Sequence, residues 1–378
     1  MVPALTCITD LTTSQLQELV GSLGEPDYRA RQLQHWVYQR LALSFGDMTD
    51  LPQFFRQRLE HEVRLHSLTP VHEQTGQDGT VKTLFALADG KTIESTLMGY
   101  PSDFGRARYT VCVSTQVGCP IGCPFCATGR QGFERNLTPG EIIDQVLYFA
   151  SLLRDRLSEG RNNASMPVSP VTNIVFMGMG EPLANYEALW QAVEILNSPG
   201  AFGLAARSMS ISTAGLVTQI KRLSQEKLQI GLAVSLHASD NSIRDKLVPI
   251  NRKYPLEQLI PACRQYCEMT GRRLSFEYAL FDGINDSVLD ARSLALLVKK
   301  MNCHVNLIAA NRTTGQTFRS PAKETVIGFE RELKRFNIAC TLRQPRGLDI
   351  DAGCGQLRSR LGKRTESTWS NRISEERY

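Results

Sequence analysis

The sequence predicts an α/β protein whose body is a parallel sheet of repeated βα units, a partly closed barrel or an open doubly wound sheet, behind a small helical accessory domain and a β-hairpin segment. Three observations carry this. Apolar residues recur at helical spacing through the first 65 residues. The period then shortens to strands broken by turn signals. From residue 109 onward, six short apolar segments alternate with longer helical stretches.

In the leader, Thr12 or Thr13 can cap a helix running to Leu23 and stopping at Gly24. Tyr28 to Leu43 and Pro52 to Leu65 repeat the pattern. The second of these helices sets Arg29, Arg31, His35 and Arg40 beside Trp36 and Tyr38, which suits an RNA-facing surface or an amphipathic helix with a charged outer face. Between about Val71 and Met98, the turn signals QDG (77 to 79) and ADG (88 to 90) mark β-hairpins. The strands TVCVST (110 to 115), TNIVFMG (172 to 178), SMSIST (208 to 213), IGLAVSL (230 to 236), RLSFEYAL (273 to 280) and HVNLIA (304 to 309) follow. Helical stretches sit between them, near Pro139 to Leu157, Tyr186 to Leu196, Leu216 to Ser224, Ser242 to Leu247, Leu256 to Met269 and Val288 to Met301. Residues 158 to 170 read as a surface loop. The expected division is 1–66 helical accessory domain, 67–108 β-hairpin connecting segment, 109–350 core barrel, and 351–378 C-terminal loop with a basic tail. In either sheet arrangement, the site belongs at the C-terminal ends of the strands.

Composition narrows the class. The chain is 42% hydrophobic and 21% charged, and no stretch approaches the roughly 20 apolar residues of a membrane span. Its start lacks a basic region followed by an apolar run, so a mature cytoplasmic protein is expected. A net charge of +5 is too small to identify a nucleic-acid partner by itself. Residues 355 to 378 hold six Lys or Arg against three Glu, as an RNA-contacting or simply solvated tail would. Ten cysteines in a long chain without a secretion signal point to metal ligands or reactive thiols rather than a disulfide scaffold.

The first barrel strand runs directly into QVGCPIGCPFCATGRQGF, which places Cys119, Cys123 and Cys126 at C-x3-C-x2-C on one loop. Gly118, Gly122 and Gly129 permit tight turns, and Phe125 offers an apolar wall. Structural zinc takes four ligands and iron–sulfur proteins usually supply four Cys, so a compact trio leaves one metal position open to something other than protein. Completion by a distant ligand to a zinc module is the other reading, but no paired motif follows at finger-like spacing. Cys263 and Cys267 lie one helical turn apart without a third partner and read as helix packing.

With these motifs in place, the chain resembles the radical-SAM superfamily, and within it the RlmN-type RNA methyltransferases that act on carbon 2 of adenine. The strings VCVSTQVGCPIGCPFCATGRQGFERNLTPGEIIDQV, NIVFMGMGEPLANY, SISTAG, SLHA, DKLVPINRKYPL and DIDAGCGQL carry the resemblance over residues 10 to 360. It implies a partial (β/α)6 radical-SAM barrel, a [4Fe–4S] cluster on Cys119, Cys123 and Cys126, and S-adenosylmethionine on the open iron. It further implies contacts to S-adenosylmethionine from Gly180 and Glu181, beside Gly178, and from Ser212, Ser235, Leu236, His237 and Asn311. By the same resemblance Cys354 carries the methyl group as S-methylcysteine, two S-adenosylmethionine molecules are used per turnover, Cys112 resolves the RNA adduct through a transient disulfide, and Glu94 accepts the ring proton. The implied partners are 23S rRNA at its peptidyl-transferase region, tRNA at the adenosine 3′ of the anticodon, and an electron donor such as flavodoxin or ferredoxin. No membrane is involved, and a monomer is expected. Arg130, Arg135, Arg207, Arg252, Lys253, Arg312 and Arg346 lie near loop ends where they could track phosphates.

The chain departs from the family pattern at AANRTTGQTF (309 to 318), where a Pro-rich string is usual, although Asn311 is kept. Relatives that methylate carbon 8 of the same adenine share nearly all the motifs; the full-length leader and KYPL after PINR favour carbon 2. A non-catalytic zinc or iron–sulfur RNA-binding module would need neither Cys112 nor Cys354. A methylthiolating enzyme would need a second cysteine trio.

Overall fold

A computed structural model of the chain describes residues 5–100, 107–158, 171–311 and 318–357. Thr12 caps helix α1 (Thr13–Ser22) through a reciprocal pair: its hydroxyl accepts from the Gln15 N–H at 3.3 Å, and the Gln15 side chain accepts from the Thr12 N–H at 2.9 Å. Helix α2 (Tyr28–Gln34) continues through one π-helical turn, His35–Gln39, and stops there. It was expected to reach Leu43. The wider turn lets Ala42 N–H donate to Trp36 C=O at 3.0 Å while Leu41 takes a left-handed φ of 53°, and the helix cannot propagate past that. Helix α3 (Gln53–Glu62) begins after Pro52. Leu16, Val20, Leu33, Val37, Phe55 and Leu59 form the buried interior of this leader.

The chain then enters three antiparallel strands, β1 (Leu68–Thr75), β2 (Val81–Leu87) and β3 (Thr92–Tyr100), the last pairing antiparallel with β4 (Arg108–Cys112). A separate hairpin, β5 (Gln116–Gly118) with β6 (Phe133–Asn136), encloses the cysteine loop and the short helix α4 (Ala127–Gln131). Helix α5 (Pro139–Ser158) follows. The βα series then runs β7 (Asn173–Phe176), α6 (Tyr186–Asn197), β8 (Met209–Thr213), α7 (Val217–Leu223), β9 (Gly231–Ser235), α8 (Asn241–Leu247), α9 (Leu256–Thr270), β10 (Leu274–Leu280), α10 (Val288–Val298), β11 (Cys303–Ala309), α11 (Lys323–Arg335) and β12 (Cys340–Leu342).

Strands β4, β7, β8, β9, β10, β11 and β12 pair in parallel in that order. The fold is therefore mixed α/β with a parallel sheet and a helical N-terminal region, as expected. Two things were not foreseen. Strands β1 to β3 extend this same sheet at its β4 edge, making ten strands in one sheet. A seventh parallel strand, β12, is added at the other edge; its three residues are too few to show a period of two.

The pleat decides what faces inward. Along β10, Leu274, Phe276, Tyr278 and Leu280 bury into the apolar core, while Glu277 and Ala279 line the central cavity. The same alternation sends Ile211 of β8, Val234 of β9 and Leu307 of β11 to the core, and Ser212, Ser235 and Ile308 to the cavity.

Leader and barrel are joined by a buried carboxylate on α5. Asp144 accepts from the Ser67 N–H and hydroxyl, both at 2.6 Å, and from the Thr9 hydroxyl at 3.1 Å. His66 Nδ1 faces Asp144 at 3.4 Å, and its Nε2 faces the Ala42 C=O at 2.9 Å. Both ring nitrogens meet acceptors, which only the doubly protonated imidazolium can satisfy. Burial pulls the His66 pKa down, but the hydrogen bond to Asp144, that carboxylate's charge and the Ala42 carbonyl together raise it on balance.

Two consequences can be measured by denaturant unfolding. Asp144→Asn orphans part of this cluster and should cost about 3 kcal/mol. A pKa raised in the native state contributes stability that is fully present at acid pH and lost as pH rises through the native value. The deficit of His66→Gln relative to the native chain should therefore be largest below about pH 6.5 and should shrink above it.

Candidate active site

One cavity of about 230 Å³ opens where the inner faces of the strands meet the cysteine loop and the C-terminal segment. Its walls include Cys119, Cys123 and Cys126, and also Cys112, Gly178, Gly180, Glu181, Ser212, Ser235, His237, Asn311 and Cys354. Residues scattered from 112 to 354 thus share one enclosed surface. Leu236 and Glu94 are not in that wall. Leu236 is fully buried, and its N–H donates to Glu277 C=O at 3.0 Å. Glu94 is 4% exposed and pairs with Lys82 at 3.5 Å, although it lies on the same face of β3 as the cavity-lining Thr96 and Met98.

The cysteine loop is pinned at both ends by the β5–β6 hairpin. Gly118 has φ +74°, and a Cβ there would stand 1.8 Å from the Gly132 carbonyl oxygen; that same oxygen accepts from the Cys119 N–H at 2.8 Å. Only glycine fits so close a crossing. Within the loop, Phe125 packs against His237 and Phe281, each at 5.1 Å between ring centroids, so the cavity's apolar side is aromatic.

All three thiols are free, and burial is the main cause that raises them, Cys119 to about 12. Among the described residues, no three His, Cys, Asp or Glu side chains stand so that they could hold one metal ion. A four-iron cluster takes its thiolates at separate corners, farther apart than the ligands of one ion, and three thiols on one desolvated wall fit that larger group.

The second strand-end motif is shaped by close packing rather than flexibility. A Cβ on Gly178 would meet the Ser114 hydroxyl at 2.7 Å, and one on Gly180 would meet Gln116 Cβ at 2.7 Å. Glu181 is held from three sides: its N–H donates to Gln116 Oε1 at 2.8 Å, and its carboxylate accepts from Leu183 N–H at 3.1 Å and Ala214 N–H at 2.6 Å. Burial nevertheless pushes its pKa up to about 7, against these hydrogen bonds. A cation entering the cavity would restore full ionisation, so Glu181 suits an ammonium ligand.

Ser212 and Ser235 face each other with their oxygens 3.5 Å apart. His237 sits in a left-handed conformation (φ 57°), held by Asn285, which donates to its C=O at 2.7 Å. Its Nδ1 accepts from Ala279 N–H at 3.0 Å, so the neutral ring carries its proton on Nε2. Burial, then the Arg244 charge, lowers its pKa to about 3, and the ring stays neutral.

Arg244 was not foreseen as important. It is fully buried and donates to Leu236 C=O at 3.0 Å, Asn251 Oδ1 at 2.8 Å, Ala214 C=O at 2.6 Å and Ser235 C=O at 3.2 Å. Glu277 and Arg343 also line the cavity and were missed. A signal for Glu277 was present: an acidic residue inside the apolar run RLSFEYAL must be buried or paired.

The C-terminal segment is clamped across the cavity from several directions. Gln77 N–H donates to Asp349 Oδ2 at 2.8 Å, Gly347 N–H to Asp78 Oδ2 at 3.0 Å, and Lys82 Nζ to Asp351 C=O at 3.4 Å. Asn311 Nδ2 donates to the Cys354 C=O at 3.2 Å. From the cysteine loop, Ala127 N–H reaches Gly355 C=O at 2.8 Å, and the Thr128 hydroxyl reaches Leu357 C=O at 2.7 Å. A Cβ on Gly353 would stand 2.6 Å from Gln356 Oε1 and 2.7 Å from Asn311 Nδ2, so both side chains pack closely against the bare backbone there. Cys354 is thereby presented, exposed and unpaired, to a cavity that also holds the half-buried Cys112.

Of the candidate phosphate contacts, Arg135 is committed to Glu141 and Asp89, and Arg346 packs on Tyr100 and Asp78 in the cavity wall. Arg130, Arg207, Arg252 and Lys253 are exposed, and Arg312 lies outside the described residues. The basic tail lies outside them too, apart from 355–357, as does the 158–170 loop beyond its first residue. No helix among the described residues is long and apolar enough to cross a membrane.

Residues 6–65 match the family described as the ribosomal RNA large subunit methyltransferase N-terminal domain. The chain is 45% identical over 352 residues to a probable dual-specificity RNA methyltransferase RlmN of Desulfitobacterium hafniense, covering 93% of this chain and 96% of that protein. It is 43% identical to the dual-specificity RNA methyltransferase RlmN of Syntrophobacter fumaroxidans over 94% of this chain and 99% of that one. The crystal structure of a radical SAM methyltransferase from Sphaerobacter thermophilus superposes with a TM-score of 0.88 at 47% identity, covering 94% of this chain and all of that one.

The Gly118 crossing can be tested directly. Gly118→Ala should break the β5–β6 hairpin at a cost of about 3 kcal/mol and lower the iron retained after anaerobic reconstitution. Gly355→Ala shares the left-handed φ (+79°) but its Cβ would meet nothing nearer than 3.9 Å, so it should cost only the conformational strain, about 1 kcal/mol, and lose less iron.

Proposed function

This chain belongs to the RlmN family of radical-SAM RNA methyltransferases, and from that premise we propose that it methylates carbon 2 of an adenosine in the peptidyl-transferase region of 23S rRNA and of the adenosine 3′ to the anticodon in tRNAs. The observation that carries this reading is the shared cavity: Cys112 and Cys354, from the first parallel strand and the C-terminal segment, line the same wall as Cys119, Cys123 and Cys126.

In this proposal Cys119, Cys123 and Cys126 hold a [4Fe–4S] cluster. Gly180 and Glu181 receive the ammonium of S-adenosylmethionine, while Ser212, Ser235, Leu236, His237 and Asn311 complete its seat. Bound there, S-adenosylmethionine would supply a transferable methyl group, and the cluster, with one electron from a donor such as flavodoxin or ferredoxin, would supply a 5′-deoxyadenosyl radical from a second molecule. The chain's own thiols do the rest. Cys354 takes the methyl group by displacement, becoming S-methylcysteine. After it loses one hydrogen atom to that radical, its methylene carbon bonds to the adenine ring, and the unpaired electron left on the ring would be returned to the cluster's one-electron couple. Glu94 accepts the ring proton. Cys112 then attacks the Cys354 sulfur, forming the S–S bond and breaking the S–C bond. The electron pair goes to the methylene carbon, which takes a proton to become the product methyl, and the external donor reduces the disulfide.

Such a reaction requires the adenine edge to leave its stack and enter the cavity mouth. Residues 1–66 are proposed as the RNA-binding accessory domain. Its exposed Tyr28 and Phe54 lie beside the guanidiniums of Arg29 (4.9 Å) and Arg58 (5.9 Å), an arrangement suited to stacking bases next to phosphate contacts.

Mass spectrometry of nucleosides from 23S rRNA and tRNA, in cells lacking their own adenine-C2 methyltransferase and expressing this chain, should reveal 2-methyladenosine. Finding 8-methyladenosine instead would overturn the carbon-2 assignment. Cys354→Ala should abolish the modification while leaving the visible absorbance of the cluster intact; methylation that survives it rules out the carrier role.

A further inference from the structure

We infer that Arg343, braced in the cavity wall by Glu277, is a positioning residue for the exchange between Cys112 and Cys354; the inference rests on the two-thiol reading above. Glu277 is 5% exposed, on the inner face of β10. Its Oε1 accepts from Asn306 Nδ2 at 2.8 Å, and Asn306 Oδ1 in turn accepts from the Thr341 hydroxyl at 3.1 Å, so β11 and β12 hold the carboxylate in place. Its Oε2 is buried without a hydrogen bond and faces Arg343 Nη1 at 3.7 Å. A buried carboxylate with one unpartnered oxygen is costly unless a cation is kept beside it, so the pair is mutually anchored.

Arg343 follows β12 directly, and its N–H donates to Leu307 C=O at 2.8 Å. Among the described residues, the cations in the cavity wall are Arg343 and Arg346, and Arg346 is paired with Asp78 and the face of Tyr100. Of the two, Arg343 is the one whose charge acts on Cys112 and which Cys354 acts on in turn.

The exchange needs such a charge. A thiolate, not a thiol, attacks sulfur. Burial pushes Cys112 up to about 12, and Cys354 adds to the rise, whereas Arg343 opposes it. Two titratable or charged groups act on Cys112: Cys354 from the C-terminal segment and Arg343 after β12. From β3 and β7 it meets the neutral Thr96 side chain and Met177 backbone. Cys354 is likewise the leading partner of Arg343. In the exchange, the Cys112 thiolate displaces carbon from the Cys354 sulfur; the electron pair of the S–C bond leaves with the methylene carbon, which is protonated. Arg343 holds the attacking anion in register for that displacement.

The test uses the full chain, anaerobically reconstituted so that the cluster thiols are occupied. Iodoacetamide alkylation of Cys112 is followed against pH by peptide mapping. Arg343→Met should shift the profile upward by about one unit, a tenfold loss of thiolate at a given pH, and Arg343→Lys should recover most of it. With RNA and S-adenosylmethionine, Arg343→Met should keep S-methylation of Cys354 yet accumulate the covalent protein–RNA adduct, as Cys112→Ala is expected to. An alkylation profile that does not move in Arg343→Met overturns the inference, as does loss of Cys354 methylation in that variant. If Cys112→Ala itself yields no adduct, the two-thiol reading fails instead, and the alkylation profile still reports separately whether Arg343 acts on Cys112.

Discussion

Arg244 is a charged side chain with no exposure to solvent, and its guanidinium ties together the ends of two strands and the turn after α8. Desolvating it is expensive, and burial, its largest influence, lowers its pKa to about 10. Four oxygen acceptors offset that cost by removing any need for water. The consequence is positional. Ala214, Ser235 and Leu236 are the residues whose carbonyls it holds, and their neighbours Ser212, Glu181 and His237 form one side of the cavity. The same positive charge lies near Cys123, where it partly counters the burial that raises the thiol.

Dry surroundings set the chemistry of the remaining groups. Glu181 near 7, Cys112 and Cys119 near 12 and His237 near 3 all move in the direction that disfavours charge. A cavity built this way is poised to accept charged ligands, because each group regains its ionised state only when a partner arrives. The wall is correspondingly divided: Glu181, Ser212 and Ser235 come from strand ends and the thiols from β4, the cysteine loop and the C-terminal segment, while Phe125 and Phe281, backed by Phe318, form the apolar side.

The C-terminal segment solves a different problem. In the proposed reaction Cys354 has to meet both a cofactor and a large RNA, which a thiol on a strand at the bottom of a barrel could not do. The chain instead returns across the opening, held by Asp78, Lys82, Asn311, Ala127 and Thr128, and leaves Cys354 exposed between two glycines. The segment also links β12, at one edge of the sheet, to the β1–β2 turn near the other.

Local pattern determined a good deal of this. Period-two apolar runs marked the strands, helical spacing and Thr12 marked the leader, and the spacing of Cys119, Cys123 and Cys126 marked a shared ligand set, because each signal is carried within a few consecutive residues. The motif strings then carried the resemblance to the family. What local pattern could not decide was anything made by residues far apart in the chain. Strands β1 to β3 join the barrel sheet through pairing with β4; Glu94, two residues from the cavity-lining Thr96, pairs with Lys82; Arg244 becomes a hub, and Arg343 meets Glu277 in the wall that also holds Cys112 and Cys354. Burial and long-range pairing exist only once the sheet has formed, so their electrostatic effects belong to the tertiary structure alone.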